Sequence, residues 1–393
     1  MSFTIPTGQK FDSAEDIEPL LADLKDGVKV ANFGGSSYGV DACAAVANKL
    51  KTVKSLEVAN LDDMFTGRLS SEIPQSMDDL LSAIVELPNV HTVNLCDNAF
   101  GIATIEPLEK FLAAHVPLEH LHLANNGFGP EAGSRVGKAL EHLAEKKKAA
   151  NHPAKLRTVI CGRNRLENGS MAAWAKFIKA HGTIEEIRLY QNGIRQEGIE
   201  LLMLSGLAHA PELKKLDLQD NTFTKKGSVA MAQVISKWPQ IEEITVSDCL
   251  LSAKGSAHLA QVMKKSDNLK GLRRLRLQYN EINEKGLEHL VDAIESSMPE
   301  LELLELNGNC FSEDHDLVDK LQTLFEERGT GELDELDDME EEDSDAEEES
   351  DIELNHELEA GSRDAAYAED EPVAAEKSAE VDQLADELAK STI

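Results

Sequence analysis

The sequence predicts an α/β solenoid of stacked strand–helix units, followed by a disordered acidic tail. Three observations carry this prediction. A nine-residue template, LxxLxLxxN, recurs through the first 328 of 393 residues. Each copy is followed by a stretch with the apolar spacing of a half-buried helix. The charge balance then changes abruptly: of a formal net charge of −34, −23 falls from Gly329 onward. Units of about 28 residues cannot bury a core alone but can do so when stacked, which is the logic of leucine-rich repeats. The expected architecture is a crescent like that of ribonuclease inhibitor, with parallel strands inside and helices outside.

The clear copies are VHTVNLCDN (ending at Asn98), LEHLHLANN (Asn126), LRTVICGRN (Asn164), IEEIRLYQN (Asn192), LKKLDLQDN (Asn221), LRRLRLQYN (Asn280) and LELLELNGN (Asn309). IEEITVSDC puts Cys249 in the Asn slot, and two degenerate copies around Val28 and Leu56 are read with Phe33 and Leu61 there, giving ten units. Alternation in the LxL step sends apolar side chains inward and the residues between them to solvent. The Asn then turns the chain, its amide satisfying backbone groups freed at the strand's end.

Helices are expected at MDDLLSAIVEL, AGSRVGKALEHLAEK, MAAWAKFIKAH, GIELLMLSGLAHA, SVAMAQVISKW and GLEHLVDAIESSM. The first 27 residues read as an N-terminal cap, with Ser13 capping a helix through DIEPLLADL and Asp16 completing a capping box. LVDKLQTLFEERG is the last helix of a repeat domain spanning 28–328, with Gly329 as its C-terminal stop. Two units run long. A 37-residue interval holds NLDDMFTGRLSSEIPQ between strand and helix, and a 38-residue interval holds EKKKAANHPAK between helix and strand.

Residues 329–351 form the acidic segment, in which Glu332–Asp351 carries 14 acids and no base. Such a block repels itself and buries too little apolar surface to fold. Ser344 and Ser350 suit an acid-preferring kinase. The remaining tail, 352–393, has one stretch, Val381, Leu384 and Leu388, spaced to form a helix on binding. This balance excludes nucleic acid as a partner and favours basic protein surfaces. The five scattered cysteines, without CxxC, read as reduced thiols. MSFTIPTGQKFDS has no secretory pattern, and no apolar run is long enough for a membrane span. A monomer of the cytosol or nucleus is expected.

No motif for independent catalysis or metal binding emerges. AGSRVGKAL lacks P-loop spacing, no HExxH or GxSxG occurs, and His120 and His122 alternate with Leu121 on a strand's open face. No cofactor is expected. More informative is the residue before each turn Asn: Asp97, Asn125, Arg163, Gln191, Asp220, Asp248, Tyr279 and Gly308. These fall on neighbouring repeats and should form a row along one rim. Any open rim is polar, so this pattern alone supports an interaction scaffold.

FTGRLSSEIPQ, LCDNAFG, PLEHLHLANNGFGP, CGRNRLENGSMAAWAKF, LQDNTFT, DCLLSAKG, LQYNEI and LELNGN, followed by GELDELDDMEEED, closely resemble the Ran GTPase-activating proteins of fungi from Lys29 to Glu342. The resemblance implies binding of Ran in its GTP state, alone or with a Ran-binding protein, and acceleration of GTP hydrolysis in support of nucleocytoplasmic transport. GTP and Mg²⁺ would be carried by the partner. It implies catalytic roles for Asn125 and for Arg68 of the FTGR loop, and partner contacts at Arg163, Arg165 and Asp220; Asp97, in the same row, is read as a further partner-binding residue. The asparagine would orient the GTPase's own glutamine in place of an arginine finger. A non-catalytic repeat scaffold and an acidic histone chaperone are the rival readings.

Overall fold

A computed structural model describes residues 1–340, which fall within one compact unit. Its strands are β1 (Ser2–Thr4), β2 (Lys10–Phe11), β3 (Val30–Asn32), β4 (Ser37–Tyr38), β5 (Val58–Asn60), β6 (Thr92–Asn94), β7 (His120–His122), β8 (Thr158–Ile160), β9 (Glu186–Arg188), β10 (Lys215–Asp217), β11 (Glu243–Thr245), β12 (Arg274–Arg276), β13 (Leu303–Glu305) and β14 (Glu332–Leu333). All but β2 and β4 join one parallel twelve-stranded sheet in chain order, while β2 and β4 pair separately. The central residues of the repeat strands stand in register, Ala31 on Ala59 on Val93 on Leu121 and onward to Leu304. Each is fully buried, packed against a hydrophobic core that runs the length of the sheet.

The turn asparagines hold this stack together. Asn126 Nδ2 donates to Leu123 O of its own strand end at 2.9 Å and to Leu95 O of the preceding repeat at 3.0 Å. Its Oδ1 accepts the Asn98 N–H at 3.0 Å, and the Asn126 N–H is in turn accepted by Asn164 Oδ1 at 2.9 Å. The same pattern recurs at Asn98, Asn164, Asn192 and Asn221, all buried. It resumes at Asn280 and Asn309. At Cys249 a thiol takes the slot, with longer contacts to Leu218 O and Ser247 O at 3.4 and 3.3 Å.

The register of the first two copies differs from the sequence reading. Phe33 and Leu61 are not in the turn slot; both are buried three residues upstream of it, at the template's last apolar position. The turn slot falls on Ser36 and Met64. Gly35 and Asp63 before them are left-handed like the other pre-turn residues, and the Met64 N–H is accepted by Asn98 Oδ1 at 2.8 Å. The interval from Met64 to Asn98 is then 34 residues instead of 37.

Both ends also differ. The N-terminal cap contains a strand, β1, which extends the sheet through Ser2–Val30 pairing. The expected capping helix is short, Ala14–Ile17 with its Ser13–Asp16 capping box, and a 3₁₀ turn, Leu20–Asp23, follows. At the other end the helix Asp316–Arg328 stops at left-handed Gly329. The acidic segment does not leave the fold there: β14 pairs with β13, and Asp334 caps the Leu306 and Asn307 N–H groups at 2.7 and 3.1 Å. Tyr279 Oη donates to Asp338 at 3.1 Å, and Asn307 Nδ2 to Asp337 at 3.0 Å. Carboxylates that repel one another in a free chain are here acceptors for a sheet end with unmatched donors. Ser344, Ser350, Val381, Leu384, Leu388 and the expected disordered tail lie outside the described residues.

The second long interval is mostly helix. Gly129–Ala149 runs 21 residues, and buried Lys147 donates to Val116 O, Leu118 O and Ala154 O at 2.7, 2.7 and 3.1 Å. Three carbonyls converge on one ammonium, closing the insert onto the preceding repeat. Cys43, Cys96, Cys161 and Cys249 are free thiols, and burial pushes the Cys161 thiol up. No helix among the described residues is long and apolar enough to cross a membrane.

Two predictions follow from this packing. Asn126→Ala removes one acceptor and the donor to two carbonyls in a dry site, where each unmatched group costs about 1–3 kcal/mol. Denaturant unfolding should show a loss of about 3 kcal/mol or more. His115 is buried with Nε2 at 2.6 Å from Val90 O, and burial pushes its pKa down to about 4 from 6.5. Between those values the unfolded chain takes up a proton that the folded chain refuses, so stability falls with pH through this window. The loss is about 3 kcal/mol for a shift of this size. His181, also pushed down to about 4 by burial, adds to it. Urea midpoints measured from pH 7 to 4.5 should fall less steeply in His115→Gln than in the parent.

Candidate functional site

For a turn Asn to swing into the core, the residue before it must leave the extended conformation. Asp97, Asn125, Arg163, Gln191, Asp220, Asp248 and Tyr279 all have φ between 53° and 62°. Gly308, in the same slot, has φ 73°. This left-handed geometry is cheap for Gly, Asn and Asp and costs other residues about 1–2 kcal/mol. Each backbone N–H is used by the next repeat, Asp97 to Ala124 O, Asn125 to Gly162 O and Arg163 to Tyr190 O, each at 2.9 Å. With its backbone held inward, each side chain from Asp97 to Tyr279 is thrown out to solvent.

Within this row the structure brings Asp97 and Asn125 into direct contact: Asn125 Nδ2 donates to Asp97 Oδ1 at 2.8 Å. Arg163 stands on the following repeat, and Arg165 lies just past the buried Asn164, itself left-handed with φ 54°. Both are exposed, and neither guanidinium makes an ion pair or side-chain hydrogen bond among the described residues. Asp220 stands two repeats beyond Arg163. With Gln191, Asp248 and Leu250 it lines an open recess of about 330 Å³.

Arg68 is the departure. Its side chain is only 6% exposed, although the loop around it is open. Nε donates to Ser37 Oγ at 2.8 Å, Nη2 to Phe11 O and Ser37 O at 2.9 and 3.0 Å, and Nη1 pairs with Asp12. The guanidinium pins the FTGR loop to the β2–β4 pair, in which the N-terminal cap meets the first repeat. Together with Lys10 it holds the Asp12 carboxyl below its usual range. The loop presents Leu69, 69% exposed, and not Arg68.

Sequence reasoning missed one neighbour of the row. The Tyr190 ring lies across Gly162, where any Cβ would come within 2.3 Å of it. Tyr190 thus leans toward Arg163 from the next repeat, on the sheet side. A glycine in a slot that holds Cys96, Ala124 and Tyr190 in adjacent repeats was the available signal. On the open face itself, His120 is bonded to Thr158 Oγ1 at 2.9 Å, and burial lowers the pKa of both His120 and His122.

A family model described as leucine-rich repeat matches residues 209–232. Among curated relatives, Ran GTPase-activating protein 1 of Saccharomyces cerevisiae is 39% identical over 328 residues, 81% of this chain and 80% of that protein. The Ran GTPase-activating protein of Drosophila melanogaster is 38% identical over 77% of this chain, which spans 51% of the fly protein. Ran GTPase-activating protein 2 of Caenorhabditis elegans is 42% identical over 48% of this chain and 20% of its own length.

The contrast between the two arginines is testable. Arg68→Ala strands an acidic partner and two carbonyls and should lower stability by about 2–4 kcal/mol, with faster amide exchange at Ser37, Tyr38 and Gly39. Arg163→Ala keeps the same backbone strain, removes no hydrogen bond or ion pair and should leave thermal unfolding within about a degree of the parent.

Proposed function

The chain belongs to the family of Ran GTPase-activating proteins, and we propose that it stimulates GTP hydrolysis on Ran through the pre-turn row centred on Asn125. One observation carries this reading. Asn125 and Asn126 are adjacent and chemically identical, yet Asn126 is buried in the ladder and Asn125 is exposed on a fixed left-handed backbone. The ladder already has the asparagine it needs at this turn, so the exposed amide is available for a partner.

Phosphoryl transfer needs an in-line water and neutralised charge, and little covalent chemistry from a helper protein. An amide both donates and accepts, so Asn125 can hold the side chain of a partner glutamine that positions the water. Nucleotide and Mg²⁺ belong to the partner in its GTP form, and the chain supplies no hydrolytic site or cofactor of its own. Arg163, Arg165 and Asp220 serve as docking contacts, with room for a Ran-binding protein on Ran's other faces. Arg68 acts as a positioning residue that shapes the loop at the row's N-terminal end. One copy of the row suffices, so the acting species is a monomer, and the activity belongs in the cytoplasm.

The unpaired guanidiniums of Arg163 and Arg165 favour a second reading, in which one of them enters the partner's active site as an arginine finger. Single-turnover hydrolysis of Ran·GTP separates the two. Asn125→Ala should lower the maximal stimulated rate by about a hundredfold or more, with affinity changed only a few-fold. Arg163→Ala should act mainly on the concentration needed for half-maximal rate. If the losses are reversed, Arg163 is the catalytic group and the amide mechanism is wrong.

A further inference from the structure

We infer that Asp97 is a positioning residue for this reaction, setting which end of the Asn125 amide faces the partner; the inference rests on the reading of Asn125 above. A side-chain amide has two ends of similar shape, and a free one turns to suit its surroundings. Here a carboxylate stands 2.8 Å away. An ionised carboxylate only accepts hydrogen bonds, so the amide end facing it is the nitrogen. The carbonyl oxygen is then directed away from Asp97. Among the described residues no donor occupies that oxygen, and Nδ2 keeps a second hydrogen.

The consequence is specific. The group offered to the partner is a carbonyl acceptor, so a partner glutamine meeting Asn125 donates its NH₂ to Asn125 Oδ1. The glutamine's own oxygen is then left to accept from the attacking water. With the amide reversed, the glutamine would turn its oxygen to the protein and its NH₂ to the water, the wrong polarity for accepting a proton from it. Asp97 is well suited to hold this choice. It occupies the same slot one repeat upstream, its φ of 62° suits an aspartate, and its backbone N–H is spent on Ala124 O. Its carboxylate therefore stands on a backbone as fixed as that of Asn125.

The test compares Asp97→Gly, which removes the carboxylate without backbone strain, and Asp97→Asn, which retains a hydrogen bond but lets either amide polarity form. Both are measured in the parent and in Asn125→Ala, with thermal melts as the folding control. Single-turnover assays on Ran·GTP over a range of activator concentrations should show about a tenfold fall in maximal rate for Asp97→Gly and a smaller fall for Asp97→Asn. Half-maximal concentration should barely change. In the Asn125→Ala background both effects should vanish, because a residue acting through the amide has nothing left to orient. A rise in half-maximal concentration that persists without Asn125 would overturn the inference and make Asp97 a direct contact, leaving the role of Asn125 intact. Full activity of Asn125→Ala would instead remove both readings.

Discussion

Everything in this structure depends on one repeated hydrogen-bond arrangement, a buried side-chain amide that ties the end of each strand to the repeat before it. A three-residue strand is too short to hold a sheet by ladder bonds alone, and its end leaves donors and acceptors facing the core. The asparagine meets these with a single planar group: two hydrogens for carbonyls in successive repeats, one oxygen for the N–H of the preceding turn. Because each amide takes one role in its own repeat and another in the previous one, the unit of stability is the stack, as expected of a solenoid. Cys249 shows what the arrangement tolerates. A thiol is a weak donor and a weak acceptor, so this joint relies on the apolar packing of Ile244, Val246 and Leu251, all fully buried.

The same arrangement creates the candidate site. Turning an asparagine inward forces the residue before it into the left-handed region and its side chain outward, once per repeat. The row is therefore spaced by the sheet, and its members cannot retreat into the protein. Asp97, Asn125, Asp220 and Asp248 bear this conformation at little cost, whereas Arg163, Gln191 and Tyr279 hold it against a penalty of about 1–2 kcal/mol each. Strain kept in this way is a pointer to a role for the side chain. Tyr279 has one visible in the fold, since its hydroxyl binds Asp338 of the docked acidic segment. Arg163 has none among the described residues, which directs attention to a partner.

Most of this was legible in the sequence because the template couples core and turn in one string of letters. From Asn98 to Asn309 the assignment of strand, turn and exposed neighbour follows from LxxLxLxxN alone. The reading slipped where the string lost its asparagine. With Ser36 and Met64 in the slot, Phe33 and Leu61 were the prominent residues, and only strand pairing such as Ala31 on Ala59 fixes the register. β1 carries no leucine in Ser2–Thr4, so it did not register as a repeat. The docking of 332–340 was hidden for a different reason. Composition counts the charges of Asp334, Asp337 and Asp338 but cannot count the unmatched N–H groups waiting at the edge of β13. The direction of Arg68 is likewise decided by Asp12 and Ser37, 56 and 31 residues away, and a loop motif carries no trace of either.

These placements separate two demands that an activator of another protein's chemistry must meet. It must hold a polar group steady to within a fraction of an ångström, and that group must not be consumed by the fold that steadies it. On the reading proposed for Asn125, the chain uses the same side chain twice in succession: Asn126 is buried in the ladder and Asn125 is left exposed for the partner. Arg68 falls on the other side of the division: a charged group in a loop motif, yet spent entirely on Asp12, Phe11 and Ser37. A motif residue can therefore be indispensable to an activity while touching none of the reacting atoms, if it fixes the surface on which the partner is seated. Arg68 anchors the loop after β5, which replaces the short turns of later repeats. There the ladder has Met64 instead of an amide: Phe33 O, which an asparagine in that slot would bond, accepts from Tyr38 Oη at 2.8 Å, and the guanidinium of Arg68 separately ties the loop to Phe11, Asp12 and Ser37.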